Sequence, residues 1–339
     1  MLKIFKNLIS AIIFFIFLLE IVAYSLSKFD NTEMFNIRSF TEKTNDKRLY
    51  TLKKNFFSKE TELDGTNTKD WEIYTSENGF RIGKNDKIKL KKDKFIFIGD
   101  SVPFGWGLNH DQTLPFFFQK MNQELTVLNG AIPSYSLNQS VERFFIEFSK
   151  IKNIKYVYLQ IYAPAPIYAL LGNKWHPGDN FTTISKYIFR NYDYLNFKIP
   201  LYGELYTLSF IKKKIYRIKI KKLKQQKINS ESNRKFTKFI NKNLNRLNNF
   251  LKEENITLIL SPINIPKDTF DSLDKQHTKS IELLNSSFLN FAKNNKNVKF
   301  FDLPNEFHQN NLNFIDKCCH VSEKGSSIMA KELNLFYKN

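Results

Sequence analysis

Apolar and polar positions change rhythm three times along this chain. After Lys3 and Lys6, residues 7–26 are almost unbroken in apolar character, with Glu20 as the one charge. That length matches the roughly 20 residues a helix needs to cross a bilayer. Residues 28–90 are polar and charged, with aromatics scattered through them. Trp71 to Arg81 predicts a short strand and a turn, and a flexible linker would be poorer in aromatic residues. The segment is therefore expected to pack on the body of the protein. From Lys94 onward, short apolar runs alternate with helical periods. Strands are predicted at Phe95–Ile98, Thr126–Leu128, Tyr156–Ile161, Ile256–Leu260 and Val298–Phe301.

The clearest helix is written by Phe236, Phe239, Ile240, Leu244, Leu247, Phe250 and Leu251, whose spacing of three and four marks one buried face. Further helices are predicted around 113–124, 138–150, 279–294 and 323–337. Strands separated by helices in this order predict an α/β chain with a doubly wound, five-stranded parallel sheet. The organisation expected is an anchor at 1–27, a juxtamembrane segment at 28–93 and the α/β domain at 94–339. An irregular insertion occupies about 165–235. It carries Trp175-His-Pro-Gly178 and a basic run from Lys212 to Lys224. That run reads either as a face for anionic lipid headgroups or as a solvated helix face.

Charge adds less than its size suggests. Among 339 residues, 52 Lys and Arg against 33 Asp and Glu give a formal charge of +19. Lysine greatly outnumbers arginine, and Asn, Ile and Phe are inflated with it, which is how AT-rich codon usage writes exposed positions. Base readout leans on arginine, so no nucleic-acid partner is expected. The apolar segment lacks the short core and Ala-x-Ala exit of a cleaved signal peptide. It predicts a single transmembrane helix that contacts membrane lipid through residues 7–26. Lys3 and Lys6 favour a cytoplasmic N-terminus, with the body in the periplasm or outside the cell. The two cysteines, Cys318 and Cys319, are adjacent and cannot staple distant segments. No metal-ligand cluster and no complete phosphate loop is present, so no cofactor is expected.

The candidate chemistry begins where the first predicted strand ends, at Gly99-Asp100-Ser101. A serine at the C-terminal end of a buried strand lies in the crevice where open α/β sheets do chemistry. Far downstream, Asp316-Lys-Cys-Cys-His320 places an acid and a histidine in one loop. A serine hydroxyl needs a base to take its proton, and an imidazole needs a carboxylate to orient it. Ser101, His320 and Asp316 would fill those roles. The competing histidines are His110, His176, His277 and His308, and the competing acid is Asp302.

At these residues the chain resembles the SGNH/GDSL hydrolases. Gly99-Asp100-Ser101 matches the family's first block and His320-Val-Ser-Glu-Lys-Gly325 its last, over roughly residues 94–335. Asn55 and Gly79-Phe-Arg81, following an N-terminal anchor, look like a membrane-tethered bacterial branch. The resemblance implies a three-layer, flavodoxin-like sandwich and a serine esterase working through an acyl-serine intermediate. It makes Ser101 the nucleophile, His320 the base and the backbone N–H groups of Ser101 and Ser134 the oxyanion donors. Three positions depart from the family pattern. Lys317 stands where the acid usually lies, three residues before the histidine. Ser134 replaces a glycine, and Pro164, which has no N–H, stands at the asparagine that supplies a third donor. Gln160, Asn138 and Tyr162 are the stand-ins for that asparagine. The expected substrate is an acylated cell-envelope glycan or a lipid ester. An O-acyltransferase and a non-catalytic glycan-binding relative remain open.

Overall fold

A computed structural model describes residues 2–27, 39–44, 46–48, 50–64, 67–86, 93–162, 198–199, 203–204, 230–273, 275–316 and 318–338. Most of the irregular insertion, including Pro164, His176 and the Lys212–Lys224 run, lies outside them. The chain divides into two compact units, one from residues 1–36 and 182–227 and the other from 37–181 and 228–339. The smaller holds helix α1, Leu2–Ser27. Over the side chains described there, 7–12 and 14–22, no helix is long and apolar enough to cross a membrane. The expected crossing at 7–26 therefore rests on the sequence.

The larger unit begins with β1 (Thr41–Lys43) paired to β2 (Tyr50–Leu52), then β3 (Phe57–Asp64), β4 (Asn67–Thr75) and β5 (Arg81–Ile82). The alternating region follows as β6 (Lys94–Gly99), α2 (Ser101–Phe104), α3 (Leu114–Met121), β7 (Thr126–Asn129), α4 (Leu137–Arg143) and β8 (Ile154–Gln160). A short pair in the smaller unit, β9 (Lys198–Ile199) and β10 (Gly203–Glu204), interrupts it. The chain then completes α5 (Ser230–Glu253), β11 (Thr257–Ser261), α6 (Lys267–Ser272), α7 (Lys275–Lys293), β12 (Val298–Phe300), α8 (Asn305–Gln309) and α9 (Glu323–Lys338).

The main sheet has eight strands, in the order β12-β11-β8-β6-β7-β5-β4-β3. The first five are parallel and coincide with the five predicted strands. The expectation of a five-stranded sheet is thus corrected by three antiparallel strands from the segment before Lys94. That segment does not merely pack on the domain. Arg81 pairs with Asn129 of β7, and β4 and β3 extend the sheet outward by hairpin pairing. The added strands cover what would otherwise be an open edge at β7.

Layering follows from the two-residue period of the strands. Ile96 and Ile98 of β6, Val157 and Leu159 of β8, and Leu258 and Leu260 of β11 share one apolar cluster. There they meet Val141 of α4, Ile240, Leu244, Leu247 and Leu251 of α5, and Leu284 and Phe288 of α7. Phe95, Phe97, Tyr158 and Ile259 point the other way, onto Phe118 of α3 and Met329, Ala330 and Leu333 of α9. Two helical layers and the sheet between them make the expected three layers. The spatial order of the parallel strands, numbered along the chain, is 5-4-3-1-2. β6 is followed by α3 on one face and β8 by α5 on the other, so the topological switch lies between their C-terminal ends.

Candidate active site

β6 ends at this switch point, and Gly99 makes the turn possible. Its φ is +138°, and a Cβ there would lie 2.0 Å from the Gln160 carbonyl oxygen of β8. Only glycine allows so close an approach with that backbone. Asp100 then caps α2, its Oδ1 accepting from Val102 N at 3.1 Å. Its Oδ2 accepts from Tyr162 N, just beyond β8, so one carboxylate clamps the two strand ends that flank the switch. Burial pushes the Asp100 carboxyl up to about 6, against the pull of these amides and of nearby His320.

Ser101 stands half-buried at the start of α2, and the far end of the chain comes to it. His320 Nε2 is 2.8 Å from Ser101 Oγ. On the other side of the ring, His320 Nδ1 is hydrogen-bonded to Asp316 Oδ2. The base-to-orienter contact and the nucleophile-to-base contact are therefore both present.

The loop from Asp316 to His320 explains why the acid lies four residues before the histidine. Asp316 Oδ1 accepts from the backbone N–H of Cys318, Cys319 and His320 at 2.9, 3.0 and 3.1 Å. The additional residue lets the chain curl round the carboxylate, leaving Oδ2 free to face the imidazole. The loop's mouth is closed by the Phe314–Val321 bridge and by Ile315 N donating to His320 O at 2.9 Å. Burial opposes the Asp316 charge, but His320 and the amides outweigh it and hold the carboxyl below its usual range. Burial likewise opposes the imidazolium of His320, and Asp316 outweighs it, so the imidazole is raised above the ordinary 6.5.

That shift has a consequence in solution. His320 must be neutral to take the Ser101 proton, so a reaction through it falls as pH drops through the raised value. The acid limb of kcat/KM is expected above pH 6.5, and Asp316→Asn should move it down while lowering the plateau. An acid limb at or below that of free imidazole would contradict the assignment of His320 as base.

The competing residues lie elsewhere. Asp302 is exposed and accepts from the N–H of its neighbour Leu303 at 2.9 Å. His110 faces Asp86 at 3.4 Å and Phe116, and burial together with Arg81 pushes it down to about 4. His308 Nδ1 is 3.2 Å from the Ile265 carbonyl oxygen. His277 is in α7 with no described side chain, and His176 is outside the described residues.

The expected oxyanion donors are the backbone N–H groups of Ser101 and Ser134. The loop after β7 is stitched beside the nucleophile turn by Gly130 N to Phe97 O at 2.8 Å and Ile132 N to Gly99 O at 3.0 Å. Ser134 follows with φ of 64°, the left-handed backbone that makes glycine the favoured residue there. Among the described residues, neither the Ser101 nor the Ser134 N–H is given to a protein acceptor. Of the stand-ins for Pro164, Gln160 is fully buried and gives its amide to Pro262 O at 2.8 Å. Tyr162 gives its N–H to Asp100 and turns its hydroxyl toward Cys318.

Sequence reasoning singled out Arg81 but gave it no part in the site. Fully buried, Arg81 donates from Nη1 to the carbonyls of Phe104 and Gly105 at 2.6 and 2.7 Å. Its Nη2 reaches Leu108 O and, at 3.3 Å, Glu72 O. The guanidinium lies over the rings of Phe104 and Trp71, at 4.6 and 5.3 Å. Trp71 in turn packs edge-on to Trp106, whose ring centroid is 6.0 Å from that of His320. The N-terminal strands thus build the wall behind the turn that carries Ser101. A local motif could not signal this, because three of the four carbonyls lie more than twenty residues away in sequence.

No family model matches the chain, and no curated protein matches it. Solved structures do resemble it. A member of the lipolytic protein G-D-S-L family from Veillonella parvula is 13% identical, with 73% of this chain and 99% of that chain covered and a TM-score of 0.40. The lipase/acylhydrolase from Enterococcus faecalis is 11% identical, with 73% and 95% covered and a TM-score of 0.41. The acetyl xylan esterase AlAXEase is 13% identical, with 71% and 97% covered and a TM-score of 0.40. In its nucleophile turn and its C-terminal Asp/His loop the chain resembles the SGNH/GDSL hydrolases.

Proposed function

We propose that the chain is a membrane-anchored serine esterase or deacylase of SGNH type. The observation that carries this is the continuous line from Asp316 through His320 to Ser101, with Nε2 at 2.8 Å from the hydroxyl. Ser101 Oγ attacks an ester carbonyl while His320 Nε2 takes its proton. Asp316 holds the imidazole by Nδ1 and stabilises the charge it acquires. The N–H groups of Ser101 and Ser134 receive the developing oxyanion. His320 then returns the proton to the leaving alcohol, and water activated by the same imidazole releases the acyl group.

Residues 7–26 anchor this body with the N-terminus in the cytoplasm, which puts the crevice on the periplasmic or outer side. Acylated envelope glycans and lipid esters are the esters available there. The basic surface is a consequence of composition in this reading, and nucleic acid is not a partner. One sequence feature favours a second reading. Pro164 removes the family's third oxyanion donor, which suits a relative that binds glycan without turning it over.

The two readings part on a covalent intermediate. Full-length protein in detergent, mixed with p-nitrophenyl acetate and quenched within one turnover, is expected to carry one acetyl group on Ser101. Transfer of that acetyl to an added sugar in preference to water would make the chain an O-acyltransferase. An unmodified Ser101 under these conditions would favour the glycan-binding relative over an esterase of broad substrate range.

A further inference from the structure

Both cysteines of the chain fall inside the loop that presents Asp316 to His320. Their Sγ atoms are 2.7 Å apart, and both are free thiols. Cys319 is buried, whereas Cys318 is half-buried beside Tyr162. The peptide joining them carries the Cys319 N–H that Asp316 Oδ1 accepts at 3.0 Å. Thiol chemistry at this pair and carboxylate positioning in the triad therefore share one peptide unit.

We propose that Cys318 and Cys319 form a reversible oxidation site whose closure to a vicinal disulfide loosens Asp316 and turns the Ser101 centre down. The inference rests on the reading of Ser101, His320 and Asp316 as a triad. The oxidant is a disulfide, either a small one or that of a thiol–disulfide oxidoreductase. Cys318, the more accessible thiol, attacks one of its sulfurs as the thiolate. The oxidant's S–S bond breaks, a mixed disulfide forms, and the first thiol departs with one proton. Cys319, deprotonated, then attacks Cys318 Sγ and expels the second thiol, which takes the other proton. Two protein thiols have lost two electrons, and one external disulfide has become two thiols. The hydrogen bond from the Cys319 thiol holds Cys318 below the usual thiol range, which favours the first step.

Closure must disturb the loop. A trans peptide fixes neighbouring Cα atoms about 3.8 Å apart, whereas disulfides need at least about 4.4 Å. Twisting the peptide cannot lengthen that separation, so the ring closes under strain, and the strain falls on the peptide whose N–H Asp316 accepts. Strain of this kind makes a disulfide easily reduced, as a reversible control requires.

The test uses full-length protein in detergent, oxidised with glutathione disulfide and then treated with dithiothreitol. Three readouts are followed: the mass of the peptide bearing both cysteines, the His320 titration by NMR of histidine-labelled protein, and esterase turnover. Oxidation should remove two hydrogens from the peptide, bring the His320 midpoint down, and lower turnover about tenfold or more, all restored by reduction. In Cys318→Ser the ratio of turnover before and after oxidant should stay at one. A mixed glutathione adduct that never resolves would overturn the proposal, as would a closed disulfide with an unmoved His320 midpoint. Protein that hydrolyses no ester but shows the mass and midpoint changes would sink the esterase reading while leaving the oxidation site intact.

Discussion

Ser101→Ala is expected to remove the burst of p-nitrophenol from p-nitrophenyl acetate and to lower steady-state turnover by about 10⁴-fold or more. The size follows from how the three residues depend on one another. Without Oγ there is no bond for the acyl group to form, and His320 has no proton to take. What survives is background hydrolysis aided by the N–H groups of Ser101 and Ser134, which alanine leaves in place. His320→Ala should fall to a similar level, since an unassisted hydroxyl attacks poorly. The double variant Ser101→Ala/His320→Ala should therefore be little worse than either single one. Additive losses would show that the two side chains act independently, which the 2.8 Å contact between them argues against. A burst that persists in Ser101→Ala would remove Ser101 from the reaction altogether.

The largest loss of stability is expected at Arg81, a residue outside the triad. Its guanidinium satisfies the carbonyls of Phe104, Gly105 and Leu108 within a fully buried pocket. Among the described residues no carboxylate pairs with it, and burial alone brings the group down to about 9. In Arg81→Ala the Leu108 carbonyl loses this donor inside the protein, while Phe104 O keeps the Asn129 amide and Gly105 O the Leu108 N–H. Stranding a buried acceptor costs about 1–3 kcal/mol, and removing one partner of a buried charged network about 3–5 kcal/mol.

Arg81→Lys should recover little, because a point-like ammonium cannot span carbonyls on both sides of the turn as a planar fork does. Both variants should unfold at lower urea concentration with an unchanged slope. Their remaining folded fraction should turn over more slowly, because the Phe104–Leu108 turn supports Ser101 and Trp106. An Arg81→Ala protein within about 0.5 kcal/mol of the parent would refute this view of the turn.

Much of the site was legible in the chain, for a physical reason specific to each part. Ser101 could be read because Gly99 and Asp100 are needed side by side, one for a close backbone approach and one to cap α2. His320 and Asp316 could be read because they share a loop. Asp316 was favoured over Asp302 for its nearness to His320 in the chain, but the geometry that lets it serve was not legible. It depends on three successive amides curling onto Oδ1, and the displacement by one residue disguises that geometry. Ser134 was legible as a position, while its left-handed backbone shows why a glycine is expected there. Gln160 looked available as a donor until its amide was found committed to Pro262. The anchor at 7–26 remains an expectation of hydropathy.

The alternation of apolar residues by itself determined the five parallel strands, the helices between them and the two faces they cover. Strand and helix periods are local, so they survive reading along a single chain. The tertiary structure alone decided that the sheet continues to eight strands, and that its extension backs the nucleophile turn. β3 reads Phe57-Ser-Lys-Glu-Thr-Glu-Leu-Asp64, a largely polar run with no continuous apolar face to announce a strand. It is held by backbone pairing to β4 across a hairpin. The partners of Arg81 are carbonyl groups, which every residue possesses and no sequence pattern marks. Long-range backbone pairing and a buried cation's choice of carbonyls arise only when distant segments meet.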